Sequence, residues 1–210
     1  MPIRQRKSQA TQRKLIHSLR GAADDLRGQG RYVEAEPLYL CALALAEDAY
    51  GTEEVAAICN NLAALYKHMG NFDEAERLYR RALTIFEREY GPEHYEVAVN
   101  LNNLAALKYA QGCLDEAERL YRRALIVKER LLTSEHPDVA LTLNNLAVLC
   151  KARGRYVEAE ALYKRALAIF EKSFGAAHPK AISCRNNYAS LMRKIDEAHS
   201  PTAKIISRQR

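Results

Sequence analysis

Three histidines are the first residues to weigh for chemistry. His94, His136 and His178 recur at intervals of 42 residues, each in a short stretch beside Glu or Pro, so catalysis or metal binding would require groups a full period apart to converge. Turn residues copied by duplication are the simpler account. The five cysteines, Cys41, Cys59, Cys113, Cys150 and Cys184, are odd in number and form no CxxC pair. That pattern fits reduced thiols, not a disulfide framework or a zinc site. No glycine-rich phosphate loop, HExxH or nucleophile elbow is present. The expectation is a non-enzyme with no catalytic residues, no metal ligands and no cofactor.

The polar feature that does recur is a pair of asparagines: Asn60-Asn61, Asn102-Asn103, Asn144-Asn145 and Asn186-Asn187. Each pair sits in a copy of one longer stretch, written most fully as NNLAALYKHMGNFDEAERLYRRAL from Asn60 to Leu83. Gly30, Gly70, Gly112 and Gly154 mark the register, at spacings of 40, 42 and 42 residues. Self-similarity at such a period predicts a solenoid of stacked units with one continuous core.

Helical periodicity places two helices in each unit, one before and one after the glycine. The first runs from about Thr11 to Gln29, in the most divergent copy, where Arg20-Gly21 replaces the asparagine pair and Ala23-Asp24 replaces Ala-Ala. The others are predicted at 32–50, 52–69, 72–90, 95–111, 114–132, 137–153 and 156–174. A last helix near Pro179–Ala198 has no partner after it and reads as a solvating cap. Pro37 is assigned to the first turn of its helix, where a missing N–H is tolerated. The domain limits that follow are a disordered basic arm at 1–11, repeats at 12–51, 52–93, 94–136 and 137–178, a cap at 179–197 and a basic tail at 198–210.

Within a unit, two helices joined by a short turn approach closely only where Ala63, Ala75 and Ala82 leave room, with Tyr66, Phe72 and Tyr79 filling what remains. Glu76–Arg80, Glu118–Arg122 and Glu160–Lys164 are i,i+4 pairs in the favoured orientation, each worth about 0.3 kcal/mol.

These residues resemble the tetratricopeptide repeat, whose Leu-Gly/Ala-x-x-Tyr, Gly, Ala-x-x-x-Phe/Tyr, Ala pattern stands here as Leu62-Ala63-x-x-Tyr66, Gly70, Ala75-x-x-x-Tyr79, Ala82. The 42-residue period, the LNNLA openings at Leu101–Ala105 and Leu143–Ala147 and the histidine connectors resemble the kinesin light chain type in particular. The sequence holds no heptad coiled coil of the kind those light chains carry. The resemblance implies an all-α, right-handed superhelical solenoid of four helix-turn-helix repeats with a C-terminal capping helix.

It also implies a ligand groove lined by the first helix of each repeat. Mapped residue by residue, the candidate peptide-binding positions are Asn60, Asn61, Lys67, Asn102, Asn103, Tyr109, Asn144, Asn145, Lys151, Asn186, Asn187 and Arg193. Asn61, Asn103, Asn145 and Asn187 serve equally as ties between neighbouring repeats. The surface so described is rich in amides and scattered with cations, and Asp24 is its only acid. Carboxamides donate and accept at once and can hold a peptide backbone of any sequence, while Lys and Arg select carboxylates. The expected partner is a protein segment, an acidic one.

The formal charge of +6 is concentrated at the ends. Arg4, Arg6, Lys7, Arg13, Lys14 and Arg20 precede any acid, and Lys204, Arg208 and Arg210 close the chain, so the body between is mildly acidic. No aromatic is interleaved with the N-terminal cations, which makes nucleic-acid or regulatory binding through the termini the alternative and not the first reading. Self-association through the end repeats is a third. No run is apolar enough for a membrane span or signal core, and a cytoplasmic location is expected, with organelle import through the basic N-terminus left open.

Overall fold

Backbone geometry follows the repeat period. Among the residues that the computed structural model describes, 3–49 and 52–199, there are nine helices and no strand. They are α1 (Ile3–Gly28), α2 (Tyr32–Ala49), α3 (Thr52–Met69), α4 (Phe72–Tyr90), α5 (Tyr95–Ala110), α6 (Leu114–Leu131), α7 (Pro137–Ala152), α8 (Tyr156–Phe174) and α9 (Pro179–His199). None is long and apolar enough to cross a membrane.

The chain divides into two compact units, Met1–Cys113 with α1–α5 and Leu114–Arg210 with α6–α9. In the first, each helix packs on the next, and α3 also touches α1 and α5. In the second, α6 packs on α7, α7 on α8 and α8 on α9, with α7 also touching α9. This order of pairwise contacts is that of a helical-repeat solenoid.

Turn chemistry explains where the helices stop. Gly70 has φ +82°, a left-handed value that costs a residue with a Cβ dearly. The Asn71 N–H then donates back to the Tyr66 carbonyl at 2.9 Å, closing α3 before α4 begins. At two of the longer connectors the stop is a glycine, Gly91 with φ +83° and Gly175 with φ +85°, and at all three the restart is a histidine. The Nδ1 atoms of His94, His136 and His178 accept from the backbone N–H of Glu96, Asp138 and Lys180 at 3.2, 3.1 and 3.2 Å. Each histidine thus caps the helix that follows it. The rings are further held by stacking, Tyr90 on His94 at 4.2 Å and Phe174 on His178 at 4.4 Å between centroids.

Packing repeats with the same period. Ala35, Ala75, Ala117 and Ala159 are wholly buried, as are Tyr39, Tyr79 and Tyr163 and the alanines three residues beyond those tyrosines. With no side chain beyond Cβ, the alanines let paired helices meet, and each tyrosine fills the space left between them.

Two sequence expectations are corrected. Helix α1 starts at Ile3, so the backbone of residues 3–11 is helical where a disordered arm was expected; no glycine or proline interrupts this run of Arg, Gln, Lys and Ala, which favour helix. Pro37 is the sixth residue of α2, not part of its first turn. A proline there has no N–H to donate to the Val33 carbonyl, so α2 runs with one backbone bond fewer. The tail beyond His199 lies outside the described residues.

Candidate functional site

The asparagine pairs act first as ties between first helices. In the N-terminal unit, the Asn103 amide on α5 donates to Asn60 Oδ1 on α3 at 3.2 Å, and Asn100, one turn earlier, donates to the same oxygen at 3.1 Å. In the C-terminal unit, Asn187 on α9 donates to Asn144 Oδ1 on α7 at 3.2 Å. The register is the same in both bonds: the second asparagine of a pair donates to the first asparagine of the preceding repeat. Asn61 follows it with a substitution. The preceding repeat has Arg20 in place of the first asparagine, and Asn61 turns to Asp24 Oδ1 at 3.3 Å.

Availability to a ligand therefore differs along the set. Asn60 and Asn144 spend their oxygens on these ties, and their amide hydrogens have no partner among the described residues. Asn186 and Arg193 are exposed, while Asn61, Asn103, Asn145 and Tyr109 are half-buried. Asn102 departs from the expectation of a groove-facing amide: it is only 5% exposed and makes interactions of its own, as a buried amide must.

The cations are the more open chemistry. Lys67 on α3 has no carboxylate partner among the described residues, and burial pushes its ammonium below the usual lysine range, with Arg27 adding to the effect. His68 beside it stacks on Tyr32 at 5.5 Å. Lys151 on α7 donates to the Ser190 hydroxyl at 2.7 Å. Its ammonium is also lowered by burial and then by Lys194 and Arg193. Each unit thus gathers cations on its first helices.

Acidic residues are engaged elsewhere. Glu36, Glu76, Glu118 and Glu160 hold one helical position on the second helices, and each accepts from the repeat that follows. Tyr66 donates to Glu36 at 2.8 Å and Lys108 to Glu76 at 2.7 Å. In the C-terminal unit Arg153 and Arg155 donate to Glu118 at 3.0 and 2.9 Å, and Tyr188 to Glu160 at 3.2 Å. The expected pairs of Glu76 with Arg80, Glu118 with Arg122 and Glu160 with Lys164 are all present. With these carboxylates so committed, Lys67, Arg193 and Lys194 have no carboxylate partner among the described residues, whereas Arg20, Arg27, Lys108 and Arg185 on other parts of the first helices are paired.

Two features escaped sequence reasoning. Asn100 is fully buried, with its Oδ1 unpartnered among the described residues; its sister positions carry Ile58 and Thr142, so no repeat pattern announced it. Asp24 was legible as the lone acid but not as an acceptor for three groups: the Tyr39 hydroxyl at 2.5 Å, Arg27 at 3.2 Å and Asn61.

Comparison with known proteins bears on the whole arrangement. The sequence model of the tetratricopeptide repeat family matches residues 54–125, 96–172 and 138–200 in overlapping copies. No match is found among curated proteins. Among solved structures, the chain is similar to the nearly identical TPR-like repeats of a Podosopora anserina kinesin light chain, at 24% identity and TM-score 0.71, covering 87% of each chain. It is similar to BtubC (BKLC) from P. vanneervenii at 24% identity and TM-score 0.68, covering 93% of this chain and 94% of that one. Aspartyl phosphate phosphatase F from Bacillus subtilis shares the fold at 18% identity and TM-score 0.73, over 92% of this chain and 50% of that one.

Proposed function

Because the chain belongs to the tetratricopeptide repeat family, whose members are protein–protein interaction modules, we propose that it is a non-enzymatic adaptor that holds an acidic peptide segment against its first helices. The observation that carries this reading is an imbalance of charge. Lys67, Arg193 and Lys194 stand on first helices without a carboxylate partner among the described residues, whereas Glu36, Glu76, Glu118 and Glu160 on the second helices are each engaged by the next repeat.

A cation left half-buried has already lost part of its hydration, so a carboxylate meeting it regains more than it would in open water. The open amide hydrogens of Asn60 and Asn144 add donors for a peptide carbonyl. Screening by salt should weaken the complex, since part of the attraction is between exposed charges.

An array of peptides matched in length and hydropathy but acidic, neutral or basic in charge tests it. Acidic peptides should be retained selectively, and Lys67→Glu or Arg193→Glu with Lys194→Glu should each weaken binding tenfold or more, about 1.4 kcal/mol. Equal retention of all three classes, or affinity indifferent to both charge reversals, would sink the proposal.

A further inference from the structure

The first two repeats present three corresponding donors, and the carboxylate that accepts from all three in the first has no counterpart in the second. Around Asp24 the donors are Tyr39, Arg27 and Asn61. Their counterparts in the second repeat are Tyr79, Lys67 and Asn103. Lys67 precedes Gly70 as Arg27 precedes Gly30, Tyr79 follows its glycine at the distance of Tyr39, and Asn103 stands on the next first helix as Asn61 does. Where the first repeat has Asp24, the second has Ala64.

Two consequences are visible. The Tyr79 hydroxyl, the equivalent of one bonded to Asp24, is buried without a hydrogen-bond partner among the described residues. Lys67, the equivalent of Arg27, has no carboxylate beside it. Its ammonium is lowered by burial first and by Arg27 second.

We infer that the place beside Ala64 is a carboxylate-binding subsite, in which a ligand carboxylate takes the position that Asp24 fills in the first repeat. Lys67 is its counter-ion, the Tyr79 hydroxyl its neutral donor, and the second amide hydrogen of Asn103 completes the set, the first being given to Asn60. The inference rests on the acidic-peptide reading and narrows it to one carboxylate at one repeat.

Access is consistent with this. The Asp24 side chain is 35% exposed, so the position it marks opens to solvent, and Ala64 is itself only half-buried. Other copies lack the combination. The third repeat has Tyr109 where the second has Lys67; the fourth fills the place of Ala64 with Val148, and its Lys151 is engaged by Ser190.

Acetate is the minimal probe. Titrating the intact chain with sodium acetate against sodium chloride at matched ionic strength, with lysine side chains followed by NMR, should give a saturable shift at Lys67 with millimolar affinity. Tyr79→Phe should weaken it several-fold. Ala64→Asp, which supplies the carboxylate from within, and Ala64→Val, which copies Val148, should abolish it. Two blocked tripeptides separate the sources of the group: acetyl-Gly-Asp-Gly-amide offers a side-chain carboxylate, and acetyl-Gly-Gly-Gly a C-terminal one. A Lys67 response no larger with acetate than with chloride, or one that survives both Ala64 variants, would overturn the subsite. Peptides held with an affinity unmoved by Ala64→Asp would retire the subsite and leave the wider reading standing, whereas acetate held at Lys67 by a chain that takes no peptide would do the reverse.

Discussion

Asn60 Oδ1 is shared by two amides of the next first helix, Asn103 at 3.2 Å and Asn100 at 3.1 Å. A single oxygen thereby satisfies two donors on α5, and removing it strands both. Asn60→Ala should cost about 2 kcal/mol, since a buried donor left unpaired loses its hydration without compensation. Asn103→Ala removes only one of the two bonds and should cost about 1 kcal/mol. Urea unfolding of the two single variants and the double variant should show a coupling of at least about 0.5 kcal/mol. Strictly additive losses would mean that the pair is not an energetic tie.

Glu76 is held well below the ordinary carboxylate range, at about 2, chiefly by the hydrogen bond from Lys108 and then by Arg80 and Gln111. A folded pKa below the unfolded value means that the contribution is fully present above pH 4.5 and is lost as pH falls toward 2. Because Glu76 is partly open to water, screening reduces the effect to about 1–2 kcal/mol. Unfolding midpoints measured from pH 5.5 to 2.5 should fall less steeply for Glu76→Gln than for the native chain; parallel slopes would refute the assignment.

At His94, cap and stack can be separated. His94→Ala removes the acceptor for the Glu96 N–H and the ring on Tyr90 together. The loss should be about 1–2 kcal/mol. His94→Asn restores an acceptor of good capping type and should recover about half of it. An asparagine variant no better than alanine in chemical denaturation would show that the stacking alone matters.

How much of this was legible in advance divides along a physical line. The starts of α2 to α9 and the close meeting of helix pairs were readable because glycines, capping residues and alanines act locally and recur in every copy. The start of α1 was not, because a run of good helix formers carries no start signal. The candidate residues could be placed on the first helices from sequence, but their partners could not, because a partner is supplied by the neighbouring copy. Asn61 meets Asp24 while Asn103 meets Asn60, and one substitution in the first repeat makes the difference. The burial of Asn102 has the same origin: position within a repeat is shared, surroundings are not.

Lys128 offers the strongest test of the C-terminal unit. It is 2% exposed, with its ammonium donating to the Thr142 hydroxyl at 3.1 Å and to the Asp138 carbonyl at 3.3 Å. Burial pushes it down to about 8, partly offset by Asp138 and reinforced by Lys180. A lysine whose folded pKa is depressed binds fewer protons folded than unfolded, so its ionisation opposes folding below about pH 8. That cost fades as pH rises toward 10.5, where the unfolded chain also releases its proton. The full cost is on the order of 3 kcal/mol. Lys128→Met should therefore be more stable than the native chain at pH 7 by about 1–3 kcal/mol. Thr142 is not stranded by the change, because its hydroxyl already donates to the Asp138 carbonyl at 3.2 Å. The buried thiols Cys59, Cys150 and Cys184, pushed up to about 11 by burial, act with the opposite sign above pH 9. The difference between native and Lys128→Met stabilities isolates the lysine from them, and it should shrink steadily from pH 8 to 10. A difference that stays constant over that range would show that Lys128 does not release its proton in the folded chain.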